Sequence, residues 1–225
     1  MTGPTDLPVL PDWLQALPLT TRQRLLRSAK SQPMRRGQAL FRQGDRATAI
    51  WVVLEGWVHL VRSASPNGHR EGAVLLTVTP REALCGVSGL TEDGGYTVSG
   101  IAGTAGRILR IPSASFRQAL AADHQLTRAV LQLCCRRIRR IAEHHGGMTA
   151  PVPQRIAQAV LRLRDQLGDP IPVTHRELAQ MAWTTTESAI RVIRKFKQQR
   201  LCAGRRGELR VRQVEALGRV AGGVL

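Results

Sequence analysis

Between Thr174 and Gln198 the chain gathers hydroxyl, carboxylate and guanidinium side chains at helical spacings, a set suited to reading the edges of nucleic-acid bases. Thr174 stands three residues before Glu177, the spacing of a capping box, in which each side chain satisfies a free amide at a helix start. The buried side of that helix is expected to be Leu178, Met181 and Ala182. Trp183-Thr184-Thr185 supplies a turn, and Thr185, or Thr184 with Glu187 three residues on, caps a second helix running to about Gln199. On this second helix Ala189, Val192, Ile193 and Phe196 fall to one side, while Glu187, Arg191, Arg194, Lys195 and Gln198 share the other.

Arginine forms paired bonds with O6 and N7 of guanine, and a carboxylate accepts from the amino group of cytosine. Glu187 and Arg191, with Thr186 beside them, are therefore the expected base readers. Thr174, Thr185, Ser188, Arg194 and Lys195 are the expected contacts to the nucleic-acid backbone. Arg205 and Arg206 join them at the tip of a wing, read as two short strands from Leu201 to Val211.

The composition agrees with such a partner. Against 16 acidic residues the 225-residue chain carries 33 lysines and arginines, a formal charge of +17 that suits a phosphate-rich polymer. An arginine-rich surface without a partner would give the same sum, so the motif rather than the charge decides. With 43% hydrophobic residues the chain can bury real cores. No run approaches the roughly 18 apolar residues of a membrane span, and residues 1–10 lack the basic start and apolar core of a signal peptide. A cytoplasmic protein without membrane contact is expected. The cysteines, Cys85, Cys134, Cys135 and Cys202, form no CxxC pair and no ligand set with nearby histidines, so no metal site is expected and buried thiols are the simpler reading.

Other segments must hold the motif in place. Leu14, Leu17, Leu25 and Leu26 recur at helical spacing between Trp13 and Ala29, and Ser31-Gln32-Pro33 closes this helical preface, residues 1–33. Short β-branched stretches punctuated by Gly37, Gly44-Asp45, Gly56, Asn67-Gly68, Pro80 and Gly86 follow to Ile111, the texture of a sandwich, roll or barrel over residues 34–122. Asn67-Gly68 marks a tight hairpin turn. After a short helix from Ser113, a long one spans Leu126 to His144, with Leu131, Cys134, Ile138 and Ile141 at alternating spacings of three and four. That stripe, with Val130, is the expected interface of a homodimer, in a dimerisation segment over residues 123–147. Gly146-Gly147 and Pro151 to Pro153 break the helix, and residues 148–225 form the last domain, opening on a helix from Arg155 to Leu167.

At this point the residues resemble a known family, the regulators grouped around the cyclic-AMP receptor protein and the fumarate–nitrate regulator. The resemblance runs from about Met34 to Leu217 and rests on Gly37, Gly44-Asp45 and Gly56, on Arg155-Ile156-Ala157-Gln158, and most specifically on Thr174 to Phe196. It implies an α+β fold: a cyclic-nucleotide-binding-like β-roll, a long dimerisation helix and a C-terminal winged helix-turn-helix. It also implies a dimer that binds a two-fold symmetric site in double-stranded DNA, regulates transcription and touches RNA polymerase.

The departures bear on the effector. Family members that bind cyclic AMP carry a glutamate after the glycine aligned with Gly86 and an Arg-Ser pair near Thr97-Val98; here Val87, Thr97 and Val98 stand there. The hydroxyls that meet the purine align with Ile141 and Ala142. A cyclic phosphate would lose its charged partner, so no cyclic-AMP dependence is expected. Residues 1–84 hold no cysteine, which removes the iron–sulfur cluster of the oxygen-sensing branch. Cys85 falls where carbon-monoxide sensors of the family place a haem ligand, in a similar setting with Ser88 and Gly89, but their histidine is Val87 here. No cofactor is therefore expected, and a haem- or thiol-based sensor of the same fold is the alternative. Cys85, Gly86, Val87, Ser88, Thr97, Val98 and Arg137 are the candidate effector-pocket residues. Arg81, where the family tends to have glycine, and Trp183, in a turn that usually holds a small residue, are further oddities. Two other classes fit less well. A sensor acting through protein contacts alone has no use for a basic, two-faced helix, and a cupin-type metalloenzyme needs more ligands than His59 and His69.

Overall fold

The computed structural model describes residues 10–63, 73–80, 84–91, 94–146 and 149–223. These build two compact units, the first drawn from residues 1–70 and 75–140 and the second from residues 71–74 and 141–225, with the change falling within the long central helix.

In the first unit the expected opening helix is divided into α1 (Asp12–Gln15) and α2 (Leu19–Ser28). Pro18, the N-cap of α2, has no N–H to continue α1, which accounts for the break. Ser31-Gln32-Pro33 is not the closing loop that its composition suggests: it lies in β1 (Lys30–Met34), antiparallel to β8 (Gly106–Pro112) with Lys30 opposite Arg110 and Met34 opposite Gly106. As the outer strand of its sheet, β1 tolerates a proline where a central strand would not.

Two four-stranded sheets follow. One has the order β1-β8-β3-β6, with β3 (Ala49–Glu55) and β6 (Leu84–Cys85); the other runs β2-β7-β4-β5, with β2 (Ala39–Phe41), β4 (Val58–Arg62), β5 (Ala73–Val78) and β7 (Ser99–Ala102). The unbroken apolar run of β3 follows from burial on both faces. Trp51 and Val53 join Phe41, Val58, Cys85, Tyr96 and Ile108 in the core between the sheets. Ile50, Val52 and Leu54 turn to the opposite side and meet Leu14, Leu25, Phe116, Leu126, Val130 and Leu133. This is a β-roll with helices on one face. Asn67-Gly68 and Arg81 lie outside the described residues.

The roll leads into α3 (Ser113–Ala122) and the long α4 (His124–Gly146). Asp123 starts α4: its Oδ1 accepts from the amides of Gln125 and Leu126 at 2.8 and 3.0 Å, and its Oδ2 accepts from the hydroxyl of Thr21 on α2. Gly146 belongs to the last turn of α4, while Gly147 lies outside the described residues. The second unit contains α5 (Val152–Leu167), α6 (His175–Met181), α7 (Thr186–Gln198), the two-stranded β9 (Cys202–Ala203) and β10 (Arg210–Val211), and a helix absent from the sequence reading, α8 (Val214–Ala221). No helix among the described residues is long and apolar enough to cross a membrane.

Candidate nucleic-acid interface

Local sequence fixes the start of both helices of the motif. Thr174 is extended (φ −93°, ψ 160°) and its Oγ1 accepts from the Glu177 amide at 3.2 Å, while the Thr174 amide donates to Glu177 Oε2 at 2.7 Å. The Thr174 hydroxyl also donates to that carboxylate, at 2.8 Å, so its proton serves the cap rather than a phosphate. Thr185, not Thr184, caps α7: its Oγ1 accepts from the Ser188 amide at 3.2 Å and donates to Ser188 Oγ at the same distance. That arrangement leaves the proton of Ser188 as the one directed elsewhere.

Between them, Trp183 sits in the left-handed region at φ 53°, a conformation that costs a non-glycine residue about 1–2 kcal/mol. Arg155 on α5 holds this turn, its Nη1 donating to the Trp183 carbonyl at 3.1 Å, and the Thr184 amide bonds the carbonyl of Ala179 at 3.0 Å. The oddity at Trp183 is thus a backbone matter, absorbed by an arginine from a neighbouring helix.

The two faces of α7 separate as their spacing requires. Ala189, Val192, Ile193 and Phe196 are buried, with Leu178, Ala179, Met181 and Ala182 of the α6 segment buried in the same unit. A buried phenylalanine such as Phe196 contributes about 3–5 kcal/mol relative to alanine. Glu187, Arg191, Arg194, Lys195 and Gln198 are exposed and Thr186 is half-buried. The Glu187 carboxyl is held below its ordinary range chiefly by a bond from its own amide, so it is an ionised acceptor at neutral pH. One residue on this outer face escaped the sequence reading. Ile190 is 38% exposed, an apolar side chain among charges, and its signal was an isoleucine off the buried stripe.

The wing follows as expected, with Arg210 opposite Ala203 and Val211 opposite Cys202. Gly204 and Gly207 turn its tip with φ of 139° and 81°. Lys197 Nζ donates to the Gly204 carbonyl at 2.9 Å, fastening the wing to the end of α7. The exposed Arg205 reaches the half-buried Glu208 at 3.4 Å, a pair that a phosphate can displace, and Arg206 is exposed. Burial pushes the Cys202 thiol up to about 11, which keeps it protonated.

In the β-roll the candidate pocket residues separate. Cys85 is fully buried in the core between the sheets, paired in register with Trp51. Gly86 (φ 72°) has the Trp51 and Tyr96 rings each 3.1 Å from the place of a Cβ, and Val87 opens a 3-10 turn (Val87–Leu90) with its side chain against the helix-facing core. Ser88 and Thr97 bring their hydroxyls to 3.4 Å, and Val98 packs on the inter-sheet core. Val87 packs partly buried against an apolar core and neither Thr97 nor Val98 carries charge, so these three positions offer a cyclic phosphate no cation. Two cations do lie beside the segment: Arg62 donates to the Thr97 carbonyl at 3.2 Å and Arg117 to the Gly89 carbonyl at 3.0 Å. Cys85 is walled in by packed side chains, and Val87 carries no atom that ligates iron.

Along α4 two faces emerge where the sequence suggested one. Leu131 and Ile138 are 62% and 67% exposed, with Cys134 and Ile141 half-buried on the same stripe. Val130, grouped with them from sequence, is 5% exposed and packs with Leu126 and Leu133 in its own unit's core. Arg137, a candidate pocket residue from sequence, shares that inner face at 8% exposure.

A family model for the cyclic nucleotide-binding domain matches residues 31–123, and one for the Crp-like helix-turn-helix domain matches residues 154–220. The Cyclic AMP receptor protein of Thermus thermophilus is 29% identical over 194 residues, covering 84% of this chain and 86% of that protein. A CRP-like cAMP-activated global transcriptional regulator of Mycobacterium tuberculosis is 25% identical over 170 residues, 72% of this chain and 74% of that one. Among solved structures, the c-di-GMP responsive global regulator CLP of Xanthomonas campestris shares the fold, with a TM-score of 0.74 at 19% identity over 86% of this chain and 99% of its own.

Proposed function

Because this chain belongs to the CRP/FNR family of transcription regulators, which bind DNA through the helix-turn-helix, we propose that it acts as a homodimer on a two-fold symmetric DNA site without gating by cyclic AMP. One observation carries the reading: α7 presents Glu187, Arg191, Arg194 and Lys195 outward on a helix whose other face is locked into the domain. Glu187 and Arg191 read cytosine and guanine edges in each half-site, with Thr186 beside them. Ser188, Arg194, Lys195, Arg205 and Arg206 fix the register on the phosphates, and Thr174 and Thr185 contribute by starting the helices.

Dimerisation is supported by the exposure of Leu131 and Ile138, which lie with Cys134 and Ile141 on one stripe of α4. Covering that stripe with a second copy removes apolar surface from water at about 25 cal/mol per Å² and sets two α7 helices for half-sites roughly one helical turn apart. Contact with RNA polymerase and a cytoplasmic setting belong to the same proposal. Cyclic AMP appears in the names of both curated relatives; here Val87, Thr97 and Val98 support a regulator that does without it. Selection of bound sites from random DNA, with and without reductant, tests the reading. A palindrome with guanine–cytosine pairs in each half is expected, and recovery of no common sequence, or of an asymmetric one, would overturn it.

A further inference from the structure

We propose that Ile190 is a specificity determinant that recognises thymine by its 5-methyl group. Ile190 lies three residues after Glu187 and one turn before Arg194, so it flanks both along the edge of the outward face of α7, next to the half-buried Thr186 and Lys197. The other large exposed apolar side chains among the described residues, Leu19, Leu131, Ile138 and Val214, lie on other helices. An isoleucine between guanidinium groups has no polar atom to offer, so whatever it recognises must itself be apolar. The major groove offers one such group, the methyl of thymine, beside the acceptors and donors that Arg191 and Glu187 address. Isoleucine suits this contact because its branched side chain has one strongly preferred χ1 state in a helix and loses little freedom when the methyl packs on it.

The inference rests on α7 entering the major groove as proposed above, and the experiment separates the two. With the selected operator and the full-length protein, each thymine is replaced in turn by deoxyuridine, which deletes only the methyl group. Wild type is expected to lose about fourfold in affinity at one thymine per half-site, the size of one buried methyl, and Ile190→Ala to bind thymine and uracil there alike. Ile190→Val, which keeps the branched carbon, should retain most of the discrimination. A wild-type profile without any such position, or one that Ile190→Ala reproduces, overturns the assignment while sequence-specific binding stands. Absence of any preferred operator, by contrast, defeats the groove reading itself. Since Ile190 lies outside the buried stripe, thermal unfolding of Ile190→Ala should match wild type.

Discussion

The hydroxyl of Thr21 donates to the carboxylate of Asp123 across 102 residues of sequence. The same carboxylate caps α4 through the amides of Gln125 and Leu126, so one side chain joins α2 to the start of the long helix. The Thr21 bond first, then that from the Leu126 amide, hold the Asp123 carboxyl below its ordinary value. A depressed carboxyl contributes stability that is present above about pH 4 and lost as pH falls through its folded-state value. Asp123→Ala is expected to cost about 1 kcal/mol near neutral pH, a typical cap, and to flatten the acid limb of stability against pH. Denaturant titrations of the two proteins between pH 3 and 7, on the order of the range that matters, check both; parallel acid limbs would place the linkage elsewhere.

Arg191→Ala should weaken operator binding by about 1–3 kcal/mol and relax the preference at one base pair of each half-site. Arg206→Ala should weaken all sequences alike and reduce the salt dependence, as loss of a phosphate contact does. Titrations against operator and random duplexes at several salt concentrations distinguish them. Equal losses for Arg191→Ala on both duplexes would remove it from the base readers.

Calorimetry with cyclic AMP is expected to give no binding in the micromolar range, and operator affinity should not change when the nucleotide is added. If micromolar binding is found, Arg62 is the residue to examine, because its guanidinium already lies beside Thr97. Arg62→Ala would then abolish the binding.

Ile138→Arg puts like charges opposite each other in a symmetric seam and should convert the protein to monomer with loss of operator binding. Sedimentation measures the first and band-shift titration the second. A dimer that survives the substitution would exclude the stripe on α4 as the interface.

What the sequence disclosed depended on range. The capping box of Thr174 and Glu177, the Thr185 cap and the wing are set by residues within a few positions of one another, and their chemistry is legible without a fold. Long-range packing was not. Val130 and Leu131 are adjacent apolar residues at helical spacing from further apolar ones, and only the β-roll against which α4 lies decides that Val130 goes inward and Leu131 outward. Arg137 was named by type as a pocket residue, and only the packing of α4 shows that it is buried on the inner face. Pro33 suggested a break because strand prolines are rare, and the permission came from the edge position of β1, a property of the sheet. In the pocket, type alone was informative: Val87 lacks charge wherever it points.

The division of α7 also has an evolutionary consequence. Since Glu187, Ile190, Arg191 and Arg194 stand outside the packed stripe of Ala189, Val192, Ile193 and Phe196, substitutions that rewrite the preferred operator need not loosen the domain. Duplicated copies of such a gene can therefore drift to new promoters by single surface changes, each copy remaining folded at every step. The buried stripe, by contrast, should vary little among copies whose targets have nothing in common.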